Sequence, residues 1–139
     1  MQKTILMKRL HILGVRLNQI SVPVLSSSVI ENHQTESEYV NLTGYSVFND
    51  VMYSLENYNG LFITDRMEAL NFRHRKSEPG YFSSWHMAGD PTLIIVRSGT
   101  LRIGLRNGEY RDFSAGDMFI VQDCLQPGED FDDQIHGHT

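Results

Sequence analysis

One cysteine, Cys124, stands in a chain of 139 residues. A lone thiol has nothing to pair with inside the chain, so an internal disulfide and every cysteine-cluster metal centre are excluded, and this usage suits a reducing compartment. Also missing are a glycine-rich phosphate loop, a nucleophile elbow and any paired-cysteine element, the usual sequence marks of nucleotide binding, hydrolysis and redox exchange. No apolar run is long enough to span a bilayer. The best stretch, residues 12–25, is broken by Arg16, Asn18, Gln19 and Pro23, so it is neither a transmembrane span nor a clean secretory core. No membrane partner is expected.

Acid is absent from the first 30 residues. Lys3, Lys8, Arg9 and Arg16 give that segment +4, and the remaining chain carries −9 within a formal total of −5. An acid-free start with arginine and serine resembles an organelle transit peptide, which would place the protein in an organelle matrix. The alternative is a peripheral strand of a cytoplasmic protein, with Ser21, Val22, Pro23, Val24 and Leu25 reading as edge-strand chemistry. Nucleic acid is not an expected partner, because it calls for a basic face and the body of this chain is acidic.

What is present fits one packed domain. Apolar residues make up 40% and aromatics 10% of the chain, enough to build a core rather than leave it disordered. Residues 31–38 are wholly polar and read as a linker, so the expected division is residues 1–38 as basic segment plus linker and 39–139 as the folded domain. Val47, Val51, Leu55 and Tyr58 recur at helical spacing and Asn59-Gly60 follows as a stop, which predicts a short helix over 47–58.

Beyond Gly60 the period drops to two. Short strands are expected at 61–64, at 69–75, where Leu70, Phe72 and His74 share one face, and at 81–86. Residues 92–96 form a nearly unbroken β-rich run, as a strand buried on both faces would. Leu101, Ile103 and Leu105 alternate with polar or small residues up to Asn107-Gly108, a pair suited to a type I′ hairpin, and Arg102 or Arg106 can pair across with Glu109 or Asp112. Ser114 to Asp117 turns into a further strand at 118–122. Many short strands with turn signals between them predict an all-β fold, an antiparallel sandwich or small β-barrel.

Histidine supplies the only candidate chemistry of note. His136 and His138 are two apart, so on a regular strand both rings face one way, and a neighbouring His86 would complete a three-nitrogen site with an open position for a divalent metal. His74 is a further candidate ligand, and the alternative for the terminal pair is a solvated tail. Asp123 ends an apolar strand and is placed to orient a ligand histidine. Tyr81 and Trp85 are candidate stacking residues of a ligand pocket. The acidic stretch with Glu129, Asp130, Asp132 and Asp133 lacks EF-hand spacing, and Cys124 reads as a small buried residue without a nearby base.

These elements occur in an order that resembles a known family. Gly80 and His86 enclose five residues, Gly99 opens the next strand, and Ala115-Gly116-Asp117 makes the turn before another. Trp85-His86-Met87-Ala88, Ser98-Gly99, Asn107-Gly108, the stretch from Arg111 through Phe113 to Gly116-Asp117, and Gly137-His138 follow in the same sequence. Over residues 61–139 the chain resembles small single-domain cupins of poorly defined function. The resemblance implies a double-stranded β-helix, jelly-roll-like, that binds a small polar ligand, with zinc, iron, nickel or manganese as cofactor, and isomerase, lyase or oxygenase chemistry.

The family's metal motif is degenerate here. Ala88 stands where a second histidine belongs and Thr92 where a glutamate belongs, leaving Thr92 as a pocket residue. Of the family's ligands His86 and His138 carry over, joined by His136 from the spacing argument. The alternative is a metal-free cupin acting as a binding or oligomerisation module. If His138 ends a returning strand, a further strand is expected to cover the sheet; either the N-terminal segment, of this chain or of a second subunit, fills that place or an edge stays open, and a homodimer is the expected assembly.

Overall fold

A computed structural model of the chain describes residues 18–28 and 44–139. Of the acid-free segment 1–30 that resembles a transit peptide, residues 1–17 and 29–30 lie outside the described residues, as does the polar linker at 31–38. The chain divides into two units, Met1–Val22 with Val51–Arg75, and Pro23–Asp50 with Lys76–Thr139. Among the described residues there is no helix, and so none long and apolar enough to cross a membrane.

Among the described residues eight strands carry the fold: β1 (Gln19–Ser27), β2 (Ser46–Ser54), β3 (Glu56–Tyr58), β4 (Leu61–Ile63), β5 (Thr92–Ile95), β6 (Thr100–Gly104), β7 (Tyr110–Ser114) and β8 (Met118–Gln122). One sheet has the order β2-β1-β8-β5, with β1 parallel to β8 and β5 antiparallel to it, while β3-β4 and β6-β7 are separate hairpins. The all-β class expected from the turn spacing is therefore observed. The described strands make three open sheets, and no ladder joins them into a ring.

The helix expected at 47–58 is replaced by β2 and β3. The reason lies in the spacing itself: a repeat of four is a multiple of two, so Val47, Val51 and Leu55 share a face in a strand as well as in a helix. The positions three apart break the tie, because Asp50 and Ser54 are exposed where a helix would bury them. Asn59-Gly60 is then the two-residue turn of the β3–β4 hairpin, with φ of 52° and 91° and Tyr58 opposite Leu61. Two successive positive φ values are the mark of a type I′ turn.

The type I′ turn expected at Asn107-Gly108 takes another form. Asn107 is not in the left-handed region, whereas Gly108 has φ of 89° and donates its N–H to the Leu105 carbonyl at 3.0 Å. Leu105 in turn donates to the Glu109 carbonyl at 2.8 Å, so the loop is a three-residue turn closed by a glycine bulge. Arg102 and Asp112 stand directly opposite in the β6–β7 register and form a paired contact at 2.7 and 2.8 Å. That is one of the expected cross-strand pairs; Arg106 turns elsewhere.

The core lies in the second unit, between the inner face of the four-stranded sheet and the β6–β7 hairpin. Leu25, Phe119 and Val121 from the sheet meet Ile103, Leu105 and Phe113, with Phe48, Ala88, Ile94 and Val96 packed around them. Phe113 and Phe119 stack at 3.9 Å between centroids with planes 19° apart. Fully burying such a ring contributes about 1.5–3 kcal/mol. β8 shows the period that produces this layer, with Phe119 and Val121 buried and Met118 and Gln122 exposed.

Several strand expectations change once the sheet is assembled. Ser21 to Leu25 belong to β1, which is an interior strand rather than an edge, and Pro23 is accommodated because the β8 ladder begins at Val24. The run at 92–96 is a strand over Thr92–Ile95, but at the edge of the sheet, with Leu93 and Ile95 exposed. Residues 69–75 join no ladder among the described residues, and of 81–86 only His86 pairs, in an isolated bridge with His138.

Candidate functional site

Period two carries β8 past its last ladder position. Phe119 and Val121 point inward, and Asp123, two residues on, follows them into the interior with no exposed surface. A carboxylate in such a place is costly unless its lone pairs are met. They are: the Ser46 hydroxyl donates to Oδ2 at 2.6 Å, His138 Nδ1 lies 2.7 Å from the same oxygen, and the Ala88 amide donates to Oδ1 at 3.3 Å.

His138 is held by its backbone as firmly as by its ring. It exchanges two hydrogen bonds with His86, N–H to carbonyl at 3.0 Å one way and 2.9 Å the other. Gly137 makes this approach possible. It has φ of 97°, and a Cβ there would stand 2.7 Å from the His86 carbonyl oxygen, so only glycine fits. Thr139 continues the docking, exchanging backbone hydrogen bonds with Gly104 at 2.9 and 3.1 Å and donating its hydroxyl to the Ser83 carbonyl at 2.7 Å. The expected alternative of a solvated tail does not hold, since His136 and His138 are buried.

The two docked histidines face each other. Their ring centroids are 4.4 Å apart with planes tilted by 56°. Each ring has Nδ1 against oxygen: His138 on Asp123, and His86 within 2.7 Å of the Ser84 carbonyl and 3.1 Å of the Ser83 hydroxyl. A carboxylate and a carbonyl accept only, so Nδ1 carries a hydrogen in both rings, and in the neutral form of an imidazole so held the lone pair lies on Nε2. Among the described residues neither Nε2 has a hydrogen-bond partner.

His136 stands outside this pair. Its Nδ1 accepts from the Asp132 amide at 2.9 Å and its Nε2 lies 3.2 Å from a Glu129 oxygen, while Gly44 packs so close that a Cβ would meet Nε2 at 2.7 Å. The same-face geometry expected of residues two apart assumes regular alternation, and the left-handed backbone at Gly137 interrupts it. His136 thus uses both nitrogens to fold the acidic loop back on itself. His74 packs edge-on against Phe72 at 5.8 Å in the first unit.

The expected pocket residues scatter. Asp123 sits beneath the histidine pair, Trp85 is half-buried, Tyr81 is exposed, and Thr92 at the sheet edge donates to the Asp90 carbonyl at 2.8 Å. Trp85 carries the Arg106 guanidinium 4.0 Å above its ring. The same guanidinium donates to the His136 carbonyl at 2.9 and 3.1 Å and to Asp133 at 3.1 Å, so it pins the closing segment down. Ser46 does not stand out in the sequence, and Arg106 is marked there only as a cross-strand partner for Glu109 or Asp112, not as an anchor of the closing segment. Their roles come from the fold alone. Beside the site, burial together with the charges of Asp123 and Asp90 pushes the Cys124 thiol above its ordinary pKa.

A divalent ion would find two imidazole nitrogens here and little else. Asp123 is engaged by three donors, and among the described residues no group of three or more histidine, cysteine or carboxylate side chains is arranged to hold a metal. A structural site with four protein ligands, or an open one with three, is not met by this donor set. What the pair can do unaided, when the rings are neutral, is accept a hydrogen bond at the Nε2 of each, one of them on a ring backed by a buried carboxylate. Comparisons of the chain with protein-family models, with curated proteins and with solved structures gave no match.

Proposed function

We propose that this chain is a cupin-like β-domain that binds a small polar ligand at the His86–His138 pair. The observation that carries the reading is the orientation of the two rings. Both Nδ1 atoms are committed to oxygen acceptors, which leaves the Nε2 atoms of two rings 4.4 Å apart between centroids to meet the ligand. Buried polar networks are expensive, and a fully satisfied one beneath a pair of rings fixes their orientation. The Ser46–Asp123–His138 chain has the form of such a support.

A second reading places a divalent ion between ligand and protein. It is favoured by one feature: a histidine that binds metal commonly donates its other nitrogen to a carboxylate or carbonyl, as both rings do here. With two protein nitrogens, the remaining positions would belong to water and ligand.

One set of measurements separates the two. Untagged full-length protein is screened by saturation-transfer NMR against a panel of small hydroxy acids, amines and diols, with and without added Zn²⁺ or Mn²⁺. Binding that persists in chelator and is lost in both His86→Ala and His138→Ala supports the direct reading. Binding that needs the ion, with metal content falling in the same variants, supports the second. Ligands that bind the double variant as well as the parent would overturn both.

A further inference from the structure

Residues 69–75 alternate like a strand yet join no ladder among the described residues, and Leu70 and Phe72 are 101% and 86% exposed. β5 has the reciprocal property. It is the outer strand of the four-stranded sheet, so the backbone groups on its far side face away from β8, and its Leu93 and Ile95 are 56% and 61% exposed. Nothing within Thr92–Ile95 protects this edge, for it has neither a charge nor a proline.

We propose that residues 69–75 of one copy of this chain add as an antiparallel strand to β5 of a second copy, each chain giving and receiving one strand in a twofold dimer. The register follows from the side chains. With Leu70 opposite Ile95, Phe72 falls opposite Leu93, so two apolar pairs lie on one face. They lengthen rows the sheet already has, since Ile95 is opposite Met118 and Leu93 opposite Ile120 across the β5–β8 ladder.

Charge agrees with the same register. Exposed Glu68 comes opposite exposed Arg97 at one end of the segment. A one-residue slip sends Leu70 and Phe72 to the opposite face. A two-residue slip in either direction loses one apolar pair and the Glu68–Arg97 pair together. Parallel addition fares worse, because it brings the basic end of the segment to Arg97 and its acidic end to Asp90.

The occupant is a second copy, because the two halves of the contact are complementary and both are borne by every chain. This surface is independent of the histidine pair. Two full-length variants, Leu70→Cys and Ile95→Cys, each carrying Cys124→Ser, are mixed and oxidised, since directly opposed strand positions come within disulfide reach. The mixture is expected to give a disulfide-linked species of twice the 15.9 kDa chain mass on a non-reducing gel, and sedimentation equilibrium of the parent chain a dimer.

Phe72→Lys, with an unchanged circular dichroism spectrum, is expected to weaken association about tenfold, its aromatic pair being lost twice in a symmetric dimer. Glu68→Arg weakens it, and adding Arg97→Glu restores it. A parent chain that sediments as a monomer with no cross-link in the mixture overturns the proposal, as does a dimer indifferent to Phe72→Lys. So does a Leu70→Cys/Ile95→Cys chain that closes only on itself, which would assign the segment to its own β5.

Discussion

Asp123 concentrates the polar energetics of the second unit in one side chain. Three donors converge on it with no exposed surface, so Asp123→Ala leaves Ser46 and His138 without their acceptor and is expected to cost about 3 kcal/mol, read as a lowered urea midpoint at constant m. Ser46→Ala removes a single hydrogen bond and is expected to cost about 1 kcal/mol. A second expectation concerns Cys124, whose thiol is raised by burial first and by Asp123 and Asp90 next. Alkylation by iodoacetamide in the folded chain should be slower than in the urea-unfolded chain at pH 8, and Asp90→Asn should speed it, because removing a nearby negative charge favours the thiolate. Rates equal in folded and unfolded chains would contradict this. At this scale the sequence marked His86, His138 and Asp123, each through its own type and position. It was silent on Ser46, a common residue whose importance depends on a partner 77 positions away.

Elements tell a different story about legibility. Short-strand and turn patterning beyond Gly60 located β4, β6, β7 and β8, and an unbroken apolar run located β5, whereas the alternation at 69–75 and the run at 81–86 form no strand. Patterning failed at 47–58, where apolar residues four apart satisfy helix and strand alike, and the type I′ turn formed at Asn59-Gly60, expected as a helix stop, rather than at Asn107-Gly108. The β6–β7 hairpin allows a test of its outer face. Arg102 first, through its hydrogen bonds, and then through its charge holds the Asp112 carboxyl below its ordinary pKa. A depressed carboxyl contributes stability above its unfolded pKa and loses it as pH falls through the folded one, so any contribution of this pair fades below about pH 4. In Arg102→Gln the Asp112 carboxyl should titrate at higher pH than in the parent, measured by carbon-detected NMR. Identical titration midpoints would remove the pair from the account.

Across the whole molecule, burial is unevenly shared. Every residue of β3 and β4 is exposed, whereas β8 places Phe119 and Val121 in the core. Local opening follows local burial, so amides of 56–63 are expected to exchange with solvent far faster than those of 119 and 121, by mass-spectrometric or NMR hydrogen exchange. Equal protection in both regions would mean that the hairpin is covered. Coverage by a second copy at β5 instead predicts concentration-dependent protection of β5 and residues 69–75, with the β3–β4 amides unchanged.

By itself the sequence determined the all-β class and the positions of most turns, and it offered His86, His136 and His138 as candidates without choosing among them, since alternation, turn chemistry and residue type act within a few residues of chain. Only the tertiary structure decided which strands are edges, which histidine joins His86, and what meets the Asp123 carboxylate. Those outcomes depend on ladders and approaches between residues far apart in the chain, where a single left-handed glycine at 137 redirects one ring and leaves its neighbour two residues away with another task.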